Sequence, residues 1–483
     1  MYVYYRDLVL KHFKKTHILL FLFGCFTAAL NFILPILLTR FLDPSDFGLY
    51  KAFFTYVLVI PFLSFSGGHL GYLYFARDRD KENFHSRLKG TFYLLIFQAF
   101  LLFMGFLIFK GGGGSFSQLS EQNEWLIILI GIMSIPSCFF SEVSIIKGNT
   151  LRGCLLYAFF EMLKVLVLII GSYLYGMNQA LKYFFILCLL SFLFSCFFSW
   201  KYYFKGIKLE KKYFQEIFIY SFPLSLSSLV FFGIEKIDQI LILDITTLDR
   251  FALISLGCFL FPPILILEQS LQKRLIPLMS YDYDHKRFDE IEKKLKWYIS
   301  RLGVLVIPVF IFSFFHSYEI MGFLFGDRFT DSAYYFHTFV VTYLIFLIPN
   351  DFIQKSISKN TEVLKSNLII FFSYGVTLLL LTKTTSIMTA LIFIKIGILF
   401  KAIGRFNAFR LGLKSIERSL FQVIPLKDLF LYTLFSFISL GLLKVGANTI
   451  PLPFSFLFKG MCFSLLFWGS WIILMKKKRD LFI

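Results

Sequence analysis

Charge is what this sequence has least of. Only 16% of its 483 residues are Asp, Glu, Lys or Arg, against about 25% in soluble proteins. Acidic residues are the scarcer sign, 30 against 49 Lys and Arg. Almost no stretch between the apolar runs is long enough to fold as a separate soluble domain. The seven histidines are scattered, with no zinc-type pair, and there is no nucleophile elbow or nucleotide-binding loop. That argues against an enzyme. The seven cysteines (Cys25, Cys138, Cys154, Cys188, Cys196, Cys258 and Cys462) fall inside or at the edges of apolar runs. None has metal-ligand spacing, so they read as small packing residues, with no disulfide and no metal site expected. The glycine run in KGGGGSFSQLSEQNEW is not followed by Gly-Lys-Ser/Thr and reads as a linker. Alternating ten-residue strands are absent too, which excludes a membrane barrel.

Apolar and aromatic residues fill the space that charge leaves. The chain is 57% hydrophobic and 20% aromatic, with 67 Phe and a mean hydropathy of +0.72. This is the composition of a polytopic, all-α integral membrane protein. With about 20 residues per span, fourteen candidate transmembrane helices emerge. Six lie near 16–39, 47–68, 90–109, 125–146, 153–175 and 180–200. Six more lie near 214–243, 250–276, 297–316, 333–354, 364–382 and 385–406, and a last pair near 428–446 and 452–475. The first run is too long for a signal-peptide core and lacks a small-residue cleavage site, so it is expected to remain as a helix.

The net charge of +19 follows topology rather than nucleic acid. About 37 of the 49 Lys and Arg fall at the termini or in every second loop, as cytoplasmic segments require. Both termini are therefore expected on the cytoplasmic side, and anionic membrane lipids are the partner this basicity implies. Spans one to six and seven to twelve enter from the same side, the pattern of a parallel repeat. FLDPSDFGLY after the first span is echoed by TTLDRFALIS after the seventh. The expected domains are 1–205 and 206–415, each a six-helix lobe, and 416–483, two added helices with a basic tail. The segment YDYDHKRFDEIEKKLKW between spans eight and nine is expected to lie on the membrane surface as an amphipathic helix.

One stretch, 214–280, carries polar groups where a membrane helix should have none. Ser221, Ser228 and Glu235 recur every seven residues, and Asp238 and Gln239 extend that face. An ionised group in a bilayer costs several kcal/mol unless it faces protein or water, so this helix is expected to line a wet cavity. Pro262-Pro263 sits near the middle of the next span and Glu268, Gln269 and Gln272 toward its end. A kink is expected at the prolines.

These positions resemble the polysaccharide flippase family, the Wzx-type branch of the multidrug/oligosaccharidyl-lipid/polysaccharide (MOP) exporter superfamily. The likeness is carried by LTRFLDPSDFGLY at 38–50, YSFPL at 220–224, IDQILI at 237–242, LIPLMS at 275–280 and FGDRF at 325–329. After the seventh helix the chain has Phe251-Ala252-Leu253-Ile254 where the family usually continues with Gly and Tyr. The resemblance implies two six-helix lobes around a central cavity, with two further helices appended. It also implies movement of an undecaprenyl-pyrophosphate-linked oligosaccharide from the cytoplasmic to the outer leaflet by alternating access. The setting would be a bacterial plasma membrane and surface polysaccharide synthesis, O-antigen included. A polymerase and chain-length machinery are the implied protein partners. No cofactor is implied beyond coupling to a proton or sodium gradient.

Such a substrate needs cations for its diphosphate. Arg40, at the outer end of the first helix, Lys164, Lys236 and Lys395 are the candidates. Lys395 lies near mid-span, where it reads either as a substrate contact or as the partner of a carboxylate on a neighbouring helix. Lys164 follows Glu161 by three residues, so an ion pair is the simplest account, with Glu142 at similar depth. Lys236 reads as snorkelling to the outer interface. Glu235, Asp238 and Glu268 have three readings: a coupling-ion site, structural salt bridges, or acceptors for sugar hydroxyls. A multidrug or cation antiporter and a peptidoglycan lipid-precursor flippase of the same superfamily remain as alternatives. A polysaccharide polymerase is less well supported, because it would carry a large catalytic loop.

Overall fold

The computed structural model describes residues 23–63, 81–112, 116, 119–137, 140, 143–144, 150–201, 211–349, 352–357, 360–381, 388–446 and 454–476. Among them every regular element is helical. Among the described residues seven helices are long and apolar enough to cross a membrane, or eight if one broken pair counts as a single span. Hydropathy over the whole chain leads one to expect fourteen. The chain falls into two compact units, Met1–Ala252 and Leu253–Ile483.

The first unit holds α1 (Phe23–Phe41), α2 (Pro44–Leu63), α3 (Lys81–Gly111), α4 (Glu121–Ser137), α5 (Thr150–Tyr175), α6 (Met177–Ser199) and α7 (Lys211–Ile245). Pro44 opens α2 with Asp46 in its first turn; both residues suit a helix start, one by its fixed φ and one by its charge. Helices α5 and α6 form a hairpin around Gly176 at φ 78°. They pack closely because a Cβ on Gly171 would stand only 3.2 Å from that of Ala180. Helix α7 packs along α2 and α3, so the compact grouping divides after Ala252, whereas the sequence reading divides the chain after residue 205.

The junction of α2 with the next element turns on Gly48. A Cβ there would overlap the carbonyl of Leu248, the first residue of α8 (Leu248–Gly257). The two segments that echo one another in sequence, FLDPSDFGLY and TTLDRFALIS, thus meet backbone to backbone, and only glycine permits it. Ala252, on the echoing segment, is fully buried.

The second unit continues with α9 (Pro262–Asp284), α10 (Phe288–Phe315), α11 (Ser317–Phe325), α12 (Ser332–Phe339), α13 (Thr342–Ile345), α14 (Phe352–Ser356), α15 (Asn360–Leu381), α16 (Met388–Ser415), α17 (Leu420–Val423), α18 (Leu426–Gly446) and α19 (Phe454–Lys476). Four expectations change here. The eighth span is broken rather than kinked: α8 ends at Gly257 and the two prolines become the first residues of α9, where their missing N–H groups need no partner. Tyr343 donates a hydrogen bond of 3.0 Å to the Phe259 carbonyl inside the break. The span expected to close near residue 276 runs on to Asp284, so that LIPLMS lies within α9, with Leu275 and Met279 buried. The tenth span is split into α12, α13 and α14.

The fourth change concerns the charged segment after α9. It forms no surface helix. Instead α9 and α10 run on through it as a hairpin, turning at His285–Arg287. The turn is a Schellman arrangement: Arg287 N–H reaches the Asp282 carbonyl at 2.8 Å and Lys286 N–H the Tyr283 carbonyl at 2.9 Å. Burial explains the hairpin, because Ile291, Leu295, Tyr298 and Leu302 of α10 are fully enclosed with Met279, Phe352, Ile353 and Ile416. A helix lying on a bilayer would leave that face to lipid.

The last two helices dock on α10. Helix α18 approaches where Gly303 leaves room, since a Cβ there would stand 2.7 Å from Leu429 Cδ2. The Ser300 hydroxyl bonds both Asp428 (2.9 Å) and Tyr432 (2.8 Å). At the other end of α10, Glu319 joins His316 at 2.7 Å and Lys459 of α19 at 3.0 Å. Apolar side chains outside the core, such as Phe100, Ile108, Phe197, Ile369 and Leu465, are exposed. That suits a hydrocarbon surrounding rather than water.

Candidate functional site

Charged side chains inside an apolar helix array must find partners or a polar surface. The described residues show both solutions. In the second unit Glu268 of α9 is buried, and Arg405 of α16 donates to its Oε1 at 2.8 Å. Gln272, one turn on, donates to the same oxygen at 3.1 Å and meets the Tyr298 hydroxyl at 3.3 Å. The Arg405 guanidinium also lies 4.4 Å from the centre of the Phe346 ring. A charge pair, an amide, a phenol and an aromatic face thus converge from α9, α10, α16 and the turn after α13. Of the three readings for Glu268, this geometry realises the salt bridge.

Arg405 and Tyr298 escaped the sequence reading. Arg405 falls at the end of the span expected near 385–406, where a basic residue reads as part of a cytoplasmic flank. The missing signal was its pairing with a carboxylate 137 residues away.

In the first unit α7 brings its polar residues into two groups. Lys236 donates to Gln239 Oε1 at 2.9 Å, and buried Asp238 accepts the Gln239 backbone N–H at 2.9 Å. Five residues beyond Gln239 on the same helix, the Tyr56 hydroxyl of α2 reaches Asp244 Oδ1 at 3.4 Å, with Phe116 stacked on the Tyr56 ring. Glu235 is half-buried on the same helix. The side chains of Ser221 and Ser228 lie outside those described.

Lys164 and Glu161 meet at 2.9 Å on α5, both half-buried. Glu142, expected beside them, lies outside the described residues. Arg40 is exposed at the end of α1. Lys395 behaves differently from these cations. It is exposed on α16, on one stripe with Ile392, Leu399, Ile403 and Phe406. Among the described residues it meets no carboxylate, so the salt-bridge alternative for Lys395 finds no support in the geometry. No group of His, Cys, Asp and Glu among the described residues is arranged to hold a metal ion.

A sequence model described as a polysaccharide biosynthesis protein matches residues 37–334. No curated protein matches the chain. Among solved structures, the fold is similar to the lipid II flippase MurJ in an inward closed conformation. The TM-score is 0.67 at 16% identity, covering 95% of this chain and 99% of that one. It is also similar to an inward-facing multidrug resistance MATE family transporter of the MOP superfamily (TM-score 0.61, 14% identity, 81% and 94% covered). A MOP superfamily transporter from Pyrococcus furiosus Vc1 follows (0.53, 13% identity, 85% and 97% covered). The architecture of this chain is the MOP transporter fold, as its motifs suggest.

Proposed function

The chain belongs to the polysaccharide biosynthesis protein family, and on that premise we propose that it is a lipid-linked oligosaccharide flippase. The substrate in this reading is an undecaprenyl-pyrophosphate-linked repeat unit. It moves from the cytoplasmic to the outer leaflet of a bacterial plasma membrane by alternating access, in the synthesis of a surface polysaccharide such as O-antigen. Both termini are cytoplasmic, a polymerase with its chain-length machinery takes the product, and the protein catalyses no covalent step. The observation that carries the reading is the family match over residues 37–334 on a fold shared along nearly its whole length with a lipid II flippase.

The mechanism asks for a cation that a diphosphate can engage and release. A cation already neutralised by a carboxylate serves poorly, because a ligand must then break the pair. Arg405 and Lys164 are spent in this way. Lys395, mid-span and without a counter-ion among the described residues, is the better candidate; it lies on an exposed, largely apolar stripe of α16, so in this reading it meets the headgroup of a lipid-linked substrate arriving from the bilayer side. Arg40 and Lys236 are secondary candidates. The carboxylates Glu235 and Asp238 on α7 are proposed to take the coupling proton or sodium ion, while Glu161 and Glu268, each in an ion pair, support the fold around the path.

The test is leaflet-selective labelling of the glycan in cells depleted of the protein. Accumulation on the cytoplasmic face is expected, relieved by wild type but not by Lys395→Ala at equal expression. Single repeat units accumulating on the outer face would refute flipping and favour polymerisation. The likeness to a MATE transporter supports a second reading, cation-coupled export of small molecules, which no accumulation at all would favour. A peptidoglycan-precursor flippase would instead accumulate that precursor.

A further inference from the structure

The α9–α10 hairpin is dense in charge, and each of the three lysines that open α10 has a carboxylate, whereas the exposed Lys286 and Arg287 at the turn have none among the described residues. Lys293 pairs with Glu290 and Lys296 with Glu292, each at 2.7 Å. Lys294 pairs with Asp282, and Arg418, packed on the hairpin, takes Asp289 and Glu292. Arg274 and Arg301, away from the turn, stand apart from those paired lysines. Neither meets a carboxylate among the described residues, yet both converge on one indole. Their guanidinium carbons lie 5.6 and 5.7 Å from the centre of the Trp297 ring.

Position makes that pairing informative. Trp297 stands where the charged part of α10 gives way to its apolar run, the level at which an indole favours a membrane interface. Arg301 is one turn further in, about 6 Å deeper at 1.5 Å per residue, and is followed by LGVLVIPVFIFSFF. A cation at that depth without a counter-charge is costly. The ring face offsets part of that cost and holds both guanidiniums in one place. What remains unmet is an acceptor set for two planar donor forks. Phosphate supplies those acceptors in bidentate geometry. Arg274 is exposed, so the site is open from outside.

We propose that Arg274, Trp297 and Arg301 form a binding site for the headgroup phosphate of an anionic phospholipid resident in the leaflet that faces the basic loops. The inference rests on α10 spanning the membrane and does not depend on the flippase reading. The lipid would give the hairpin the counter-charge its own sequence withholds, and anchor α9 and α10 at a fixed depth.

Native mass spectrometry of the full-length protein tests this, with graded phosphatidylglycerol, phosphatidylcholine or a polyprenyl diphosphate added in detergent. Wild type should retain phosphatidylglycerol over phosphatidylcholine. The Arg274→Gln/Arg301→Gln double variant should lose that preference by roughly tenfold, the scale of one or two charged hydrogen bonds. Arg274→Gln alone, at an exposed position that folding tolerates, should lose part of it, and Trp297→Leu more than Trp297→Phe. Undiminished phosphatidylglycerol retention in the double and single variants would overturn the proposal. So would a loss confined to the polyprenyl diphosphate, which would give the two arginines to a transported substrate instead.

Discussion

At the scale of residues, the Glu268–Arg405 pair shows how a buried charge is tolerated. Each partner is nearly enclosed, and Gln272 and Phe346 complete the surroundings. Removing one partner strands the other, which costs about 3–5 kcal/mol for a buried pair, whereas replacing both with apolar groups is often neutral. Glu268→Leu is therefore expected to lower the unfolding midpoint in detergent sharply, and the Glu268→Leu/Arg405→Met double variant to recover most of the loss. Equal losses in single and double variants would mean that the pair itself carries a function in stability beyond its mutual neutralisation. Glu268 was visible in sequence as a carboxylate that needed an explanation. Which explanation holds was not, because hydropathy has no term for a partner on a helix far along the chain.

At the scale of elements, glycine decides how closely helices meet. Gly48 brings α2 against the backbone of Leu248, and a backbone carbonyl cannot rotate away as a side chain would. Gly48→Ala should cost about 3 kcal/mol of overpacking and lower expression of folded protein. Gly105 in α3 provides the control: nothing lies within 4 Å of its Cβ position, so Gly105→Ala should be neutral or stabilising by up to about 1 kcal/mol. Thermal unfolding of the two variants side by side checks both signs. The motif around Gly48 stood out in sequence as an echo of the segment at 246–255, but contact between the two was not foreseeable from the echo. The hairpin of α9 and α10 departs from the expected surface helix for a related reason. Its amphipathic pattern was visible, while the core that buries the apolar face comes from α14, α16 and α17.

At the scale of the whole molecule, the added helices are part of the second unit rather than an appendage. Ser300 ties α18 to α10, and Glu319 ties α19 to the corner between α10 and α11. Glu319 lies outside the membrane-spanning segments. Burial alone would raise its carboxyl; hydrogen bonds and charge from Lys459 and His316 outweigh it and hold the group below its ordinary value. The sign follows: the contribution of this corner is fully present above the unfolded carboxylate range, about pH 4.5, and is lost as pH falls through the lower folded value. Melting curves of wild type and Glu319→Gln should therefore differ near neutrality and converge in acid below that range. A gap unchanged at low pH would show that the corner holds by packing alone. The assignment of α7 also belongs to this scale. Its chain position fits a new lobe, yet its contacts with α2 and α3 group it with the residues before it.

Sequence alone determined that this protein resides in a membrane, roughly where most of its helices run, which loops are basic and which superfamily it resembles. Those properties come from hydropathy, charge and turn residues summed over neighbouring positions, so a one-dimensional reading captures them. The tertiary structure decided which charge meets which: that Glu268 takes Arg405, that Glu161 takes Lys164, that Lys395 has no carboxylate among the described residues, and that two arginines share Trp297. Apart from the Glu161–Lys164 spacing, these outcomes depend on distances between helices that only packing sets. In a low-dielectric interior, a few ångströms separate a neutralised pair from a cation open to ligand.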